Sequence, residues 1–475
     1  MPSTTPEQEL LDSFFFGRLN YEKQLPTAYG HRHFRLRPIT ALLELAGNPH
    51  RAMAIVHVTG TKGKGSVSTM VHHILSQGGY RSGLYTSPHL HHLRERFVVD
   101  GREAEVPDLV DAVRSLMPLV AQVDERSAAE PDFGSLTFFD LCTATAFLYF
   151  YRQAVQVAVI EVGMGGRLDS TNVVDPLVSI ITNVSLDHTQ QLGNTVAEIA
   201  REKAGIIKPG RPIISGVRQS DAGAIVEEIA RRQRAPLAQF GKHLSWTAED
   251  PVAGPCVVRF EDPETHQVIE SPTLHTPLLG AHQRDNLALA FAATVYLRTT
   301  GWEVSSQAIQ AGLIKTRPPG RLQLIRKTPR IILDVAHNPA SFEALVRTLQ
   351  DLDRTAVEGT PSAQQPGRQR ILVFAVSRDK DSTEMLRLAS KYFDRFLLTR
   401  FHNNPRAVEL DRLTEIMASV TDPLRPQQVE TYERPDEAFQ RAVKVADPTD
   451  TIVVAGSLFL LAEIGSWTEE IRDVE

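Results

Sequence analysis

Cysteine is almost missing from this 475-residue chain, which carries only Cys142 and Cys256, far apart. Two such positions make neither a disulfide framework nor zinc-ligand spacing, so a reducing cytoplasm is the expected compartment. Excess positive charge is also lacking. The formal net charge is -6, which argues against a nucleic-acid partner and leaves room only for a local basic pocket. No apolar stretch reaches the roughly 18 residues that a membrane helix needs. The opening MPSTTPEQELLDSFFFG has no basic region followed by an apolar run and a small-residue cleavage site. A soluble protein that is not exported and has no membrane partner is expected. There is no internal repeat of about 20–50 residues.

What is present is the composition of a folded protein, 42% hydrophobic and 23% charged, in a chain too long for one ordinary core. AIVHVTG (54–60), VQVAVIEVG (155–163) and LVSIITNVS (177–185) are apolar and β-rich along their length. Such runs suit strands buried on both faces of a parallel sheet. Between them, Val67, Met70, Val71, Ile74 and Leu75 fall at helical spacing over Ser66 to Gln77. The alternation predicts an α/β doubly wound domain. KTRPPG (315–320) breaks the pattern and is the candidate linker. Beyond it, IILDV (331–335), ILVFAVS (371–377), FLLT (396–399) and TIVVAGS (451–457) restart the alternation. The expected division is therefore 1–314, a linker at 315–320, and a second, smaller α/β domain at 321–475. EGTPSAQQPGRQR (358–370) reads as a polar surface loop, and residues 241–275 as short antiparallel strands.

GTKGKGS, Gly60 to Ser66, lies where a phosphate loop belongs, after a buried strand and before an amphipathic helix. Gly60, Thr61, Lys62, Gly63, Lys64, Gly65 and Ser66 would wrap backbone N–H groups and a helix N-terminus around ATP phosphates, with Lys64 adding a full charge. The generic pattern is not met: Val58 lies six residues before Lys64 instead of glycine, and Gly65 follows the lysine where Ser or Thr would hold Mg²⁺. The metal-binding hydroxyl is expected from another segment.

A series of further motifs follows in order: YTSPHL (85–90), EVGMGGRLDSTN (161–172), LDHTQQLG (186–193), REKAGIIKPG (201–210), GAHQRDN (280–286), DVAHNP (334–339) and GSL (456–458). Together with GTKGKGS they resemble the folylpolyglutamate synthase and dihydrofolate synthase family, within the Mur-type amide ligases. The likeness runs from LNYE, at residue 19, past residue 460. It implies a Mur-ligase-like α/β fold, in which a P-loop ATP-binding parallel-sheet domain precedes a smaller Rossmann-like domain.

Glu161 ends an apolar run at the carboxyl end of a predicted strand, where open α/β sheets place their sites. The resemblance makes Glu161 a magnesium ligand, with Ser87 and His188 completing two Mg²⁺ sites, although imidazole is an unusual partner for Mg²⁺. Thr195 and Glu198 form a capping-box signature. In the helix it opens, Lys203 falls on the apolar face, either snorkelling to water or chemically special. By resemblance Lys203 is catalytic beside Lys64 and His188, and carries a carbamate that helps hold the metal. Desolvation favours the neutral amine that CO₂ requires.

His282 and Asn286 are four apart and share a helix face; in the family the stretch holding them and Gln283 contacts the nucleotide, making Asn286 an adenine-side candidate. Arg167, in a glycine-rich run with Asp169, either orients an anionic substrate or braces its loop. Arg321, Asp334 and His337 reach ATP from the second domain by resemblance, with the site closing between domains. Val335 stands where the family usually has glycine. Lys380 and Arg406 are candidates for glutamate contacts, or solvated charges.

The implied activity is ATP-dependent joining of L-glutamate to reduced folate, to dihydropteroate, or to both, through an acyl phosphate. The resemblance also implies a monomer. Another Mur-type ligase, a P-loop NTPase switch and a non-catalytic nucleotide binder are the competing readings.

Overall fold

The computed structural model describes residues 5–22, 35–355, 368–421 and 427–465. Most of the loop reading over 358–370 lies outside them. The chain divides into two compact units, Met1–Pro277 with His282–Thr316, and Leu278–Ala281 with Arg317–Glu475.

In the first unit the apolar runs become strands: β1 (Ala54–Thr59), β2 (Ser82–Tyr85), β3 (Phe97–Val99), β4 (Arg102–Glu103), β5 (Val157–Glu161), β6 (Val178–Ile181), β7 (Ile213–Ser215) and β8 (Leu237–Gln239). They form one sheet in the order β4-β3-β2-β5-β1-β6-β7-β8. Pairing is parallel from β2 to β8, and only the β3–β4 margin runs antiparallel. Every residue of β5 and β6 is buried, as expected of strands covered on both faces. The helices Pro6–Phe16, Leu36–Leu45, Val106–Ala129 and Phe138–Arg152 contribute to one core with Phe15, Leu42, Leu116 and Phe147. The helices Val196–Ala204 and Ser220–Arg232 contribute to another with Ile199 and Val226.

From β1 the chain crosses to β2 on one side, and from its neighbour β6 it crosses to β7 on the other. The carboxyl ends of β1 and β6 thus flank a topological switch point, the place where an open α/β sheet leaves a crevice for a ligand.

The weakly periodic stretch after β8 forms β9 (Leu244–Thr247), β10 (Val257–Glu261) and β11 (Val268–Glu270), a small antiparallel sheet as expected. One expectation is shortened. LVSIITNVS does not stay extended, because β6 stops at Ile181 and Thr182 and Asn183 turn their side chains to the phosphate loop.

The second unit holds β12 (Gln323–Lys327), β13 (Arg330–Leu333), β14 (Arg370–Phe374), β15 (Arg395–Leu398), β16 (Gln428–Thr431) and β17 (Thr451–Ala455). Their order is β12-β13-β17-β14-β15-β16, parallel except for β12. Phe342, Leu372, Phe374, Phe396 and Leu413 centre its core. Among the described residues no helix is long and apolar enough to cross a membrane.

Candidate active site

Gly60 to Gly63 connect β1 to the helix Lys64–Gln77. Gly63 is left-handed at φ 82°, a conformation that glycine adopts without Cβ strain. A Cβ there would also run into the Asn286 side-chain oxygen, and one on Gly60 would overlap the Thr182 hydroxyl. The turn is held from the β6 side. Thr61 N–H donates to the Asn183 carbonyl at 3.0 Å, and Lys62 N–H to Asn183 Oδ1 at 3.0 Å. The Lys62 carbonyl accepts from Thr182 Oγ1 at 2.5 Å and Asn183 Nδ2 at 3.0 Å. Backbone carbonyls are thereby satisfied inside the protein. Ser66 is buried in the first helical turn, and its Oγ has no hydrogen-bond partner. A hydroxyl thus stands one position beyond that of the generic loop.

Glu161 ends β5 and is 4% exposed. A Cβ built on Gly65 would be 3.6 Å from Glu161 Oε2, so bare Gly65 gives the carboxylate access to the phosphate turn. Ser87 lies two residues beyond β2, half-buried at the same carboxyl edge of the sheet. His188 follows β6, half-buried, with a left-handed backbone at φ 50°. Such strain in a non-glycine residue tends to gather at functional sites.

These residues suit a magnesium ion of one kind. Among the described residues no group of three His, Cys, Asp or Glu side chains could form a ready cage. Mg²⁺ bound to nucleotide needs less, since one or two carboxylates suffice when phosphates and water supply the other ligands. Glu161 beside Gly65, with the buried Ser66 hydroxyl, matches that requirement.

Lys203 does not snorkel. It is 4% exposed on the helix Val196–Ala204, and its Nζ donates to the Gly60 carbonyl at 2.9 Å. Burial first, then the nearby positive charge of Lys64, pushes its ammonium down to about 7. At neutral pH a large share of Lys203 is therefore free amine.

Asp187 lies before His188 and pairs with Lys62 at 3.0 Å; only its place beside LDH's histidine could have drawn attention to it. Arg167 braces: its guanidinium meets the Glu202 carboxylate at 2.8 Å, while its N–H donates to the Glu202 carbonyl. Asp169 accepts from Met164 N–H and from the Thr171 hydroxyl; burial raises its carboxyl to about 6. His57 Nε2 lies 2.9 Å from that hydroxyl. The Thr171 proton goes to Asp169, so His57 is the donor to Thr171.

Asn286 is buried on the helix Ala281–Thr299 and donates to Gln283 Oε1 at 2.9 Å, which turns its own oxygen to Gly63. His282, expected on the same face, is exposed. Asp285 of that helix bonds Arg218 and Trp246, each at 2.7 Å.

Within the second unit, Asp334 accepts from Leu322 N–H and Ala336 N–H, each at 2.8 Å. Its carboxylate thereby ties together the segment before β12 that carries Arg321 and the segment after β13 that carries His337. His337 Nδ1 lies 2.8 Å from the Val335 carbonyl; a carbonyl only accepts, so Nδ1 bears the proton of that bond. Val335 needs no glycine-like backbone. It is absent from the positive-φ residues, and its side chain covers Gly320. Lys380 and Arg406 both face Asp379, at 3.4 and 3.6 Å. Neither is a solvated surface charge.

The phosphate turn, the carboxyl-edge acid and the paired α/β units define a ligase of the Mur type. The Mur ligase middle domain matches residues 115–294, and the Mur ligase glutamate ligase domain matches 320–458. The dihydrofolate synthase/folylpolyglutamate synthase of Bacillus subtilis is 30% identical over 451 residues, 94% of this chain and 98% of its own. A probable bifunctional folylpolyglutamate synthase/dihydropteroate synthase of Haloferax volcanii is 33% identical over 460 residues; the chain spans 51% of that longer relative. The Mycobacterium tuberculosis folylpolyglutamate synthase complexed with ADP superposes with a TM-score of 0.82 at 29% identity, over 99% of each chain. The chain belongs to the folylpolyglutamate synthase/dihydrofolate synthase family.

Proposed function

We propose that this chain is an ATP-dependent ligase that joins L-glutamate to reduced folates and to dihydropteroate. The observation that carries it is the meeting of Lys203, Glu161 and the Gly60–Ser66 turn at one carboxyl edge. This setting suits phosphoryl transfer to a carboxylate, and the M. tuberculosis relative binds ADP.

Because Asn183 takes the Thr61 and Lys62 N–H groups, the expected wrapping narrows: the N–H groups from Gly63 to Ser66 and the Lys64 side chain hold the ATP phosphates. Asn286 is the adenine-side candidate of the first unit, and Arg321, Asp334 and His337 are nucleotide candidates on the family resemblance. A carboxylate oxygen of the pterin substrate attacks the γ-phosphorus, and ADP departs. The glutamate nitrogen, having lost a proton, then attacks the acyl carbon, and the carbon–oxygen bond to phosphate breaks. Ser87, Glu161, His188 and Lys203 as its carbamate would hold Mg²⁺, which supplies charge neutralisation at the transferring phosphoryl group. Carbamate formation needs a neutral amine and reverses the charge of Lys203, so that it can face the metal. Lys380 and Arg406, gathered at Asp379, are the glutamate-side candidates.

Both cysteines are buried free thiols, in keeping with a cytoplasmic enzyme; the family resemblance favours a monomer. The test is phosphate release from ATP with glutamate plus either dihydropteroate or tetrahydrofolate, followed by product mass. Release with both acceptors, each gaining one glutamyl unit, is expected. Hydrolysis that ignores glutamate would mean a nucleotide switch and end this reading.

A further inference from the structure

Two side chains of the phosphate turn reach the loop after β6: Thr61 Oγ1 donates to the Ser185 carbonyl at 3.2 Å, and Lys62 carries its charge to Asp187. Both backbone polar groups of Lys62 are tied to Thr182 and Asn183. Its Nζ continues in the same direction and donates to Asp187 Oδ2 at 3.0 Å. The Asp187 side chain is 7% exposed, and that of Lys62 is 25% exposed. The second carboxylate oxygen, Oδ1, accepts the His188 N–H at 3.0 Å. Asp187 thus spans the gap between the turn after β1 and the loop after β6, one oxygen on each.

Two physical consequences follow. His188 is held at φ 50°, which a β-substituted residue adopts only when its surroundings over-determine it. The Asp187–N–H bond is one such constraint, and Lys62 fixes the carboxylate that makes it. In addition, a buried carboxylate this close to a phosphate turn would repel the phosphates unless a cation neutralised it.

We infer that Lys62 is a positioning residue, acting through Asp187 to fix His188 against the phosphate turn, and not a direct phosphate ligand like Lys64. This rests on the ligase reading above for its assignment of His188 to the metal. It differs from the simplest expectation for a lysine in such a turn, that its charge goes to the nucleotide.

A double-mutant cycle separates the two roles. K62M, D187N and the pair K62M/D187N are compared for Mn²⁺ affinity of the AMPPNP complex, read from the free-ion electron paramagnetic resonance signal. Steady-state kcat and KM for ATP are measured beside it. Each single change should weaken Mn²⁺ about 10–100-fold, the size typical of removing a group that orients a metal ligand. The pair should be no worse than either single, because both break one connection. The fall in activity should appear in kcat more than in KM for ATP, and K62R should keep most of the Mn²⁺ affinity. Losses that multiply in the pair, or a K62M protein with wild-type Mn²⁺ affinity, would overturn the inference. An unchanged unfolding temperature for K62M guards against a folding defect; where it falls, K62R against D187N carries the same comparison. A wild-type protein without glutamate-dependent phosphate release would instead overturn the ligase reading, and the Mn²⁺ cycle would still judge Lys62.

Discussion

Lys203 Nζ and the Gly60 carbonyl are joined by a 2.9 Å hydrogen bond across 143 positions of sequence. The bond ties the helix Val196–Ala204 to the first residue of the phosphate turn. A lysine this buried is costly when charged, and a leucine or methionine would pack there without that cost. The proposed carbamate would account for an amine at this point.

The pH dependence of stability exposes that cost. An unfolded lysine keeps its proton to about 10.5, the ordinary value, whereas folded Lys203 releases it near 7. Between those values the unfolded chain binds more protons, so folding grows more favourable as pH rises. Below about 7 both forms are protonated and the full penalty applies. In CO₂-free buffer, the unfolding temperature of K203M should exceed that of wild type most below pH 7, with the gap narrowing towards pH 10. Parallel curves would show that Lys203 is not a depressed amine. Its ligase activity should fall about 100-fold or more, on the scale of losing one electrostatic group at a reacting centre.

Gly63 supports a second prediction. G63A forces a side chain into φ 82° and into Asn286 Oδ1. The strain costs about 1–3 kcal/mol, and Asn286 must leave its place between Gln283 and the turn. ADP affinity measured by calorimetry should fall at least about tenfold, the equivalent of 1.4 kcal/mol. Unaltered ADP binding would mean that the turn relaxes freely.

How far these features were legible depends on sequence distance. GTKGKGS declared itself because a phosphate turn is local, and β1 and β5 did so because strands covered on both faces are uniformly apolar. The helical spacing of Lys203 showed its apolar surroundings but not the bond to Gly60. Nothing local marks Thr182 and Asn183 as clamps, so LVSIITNVS looked like one long strand. Arg167 had two readings, and only the fold supplied its partner Glu202, 35 residues on, which gives the brace its physical basis. Asp187 gained meaning only when the ends of β1 and β6 were adjacent; Ser66 was legible as part of the phosphate turn, but not as a buried hydroxyl without a partner.

Lys64 should separate binding from folding. It opens its helix, is half-buried, and takes part in no hydrophobic cluster. K64A should therefore unfold near the wild-type temperature while losing about 100–1,000-fold in glutamate-dependent phosphate release. Near-normal release would remove the central cation from the proposed chemistry.

The last prediction concerns the second unit alone. Asp353, on the helix Pro339–Thr355, takes hydrogen bonds from Arg330, Arg368 and Arg370 and from the Tyr392 hydroxyl. Burial works to raise its carboxyl, but Arg368, Tyr392 and Arg330 outweigh it and hold the group below the usual carboxylate range. A carboxyl so depressed stabilises the fold above its unfolded value, and the contribution fades as acid protonates the folded form. D353A would leave three guanidinium groups crowded at one end of β13 and β14 with their shared anion removed. A loss of about 3 kcal/mol is expected at pH 7, the scale of breaking a buried pair from one side. The loss should shrink progressively at acid pH, as protons neutralise the wild-type carboxyl as well. Urea unfolding at pH 7 and at acid pH, followed by fluorescence, measures it. A penalty that stays constant with pH would place the cost in packing, not in charge.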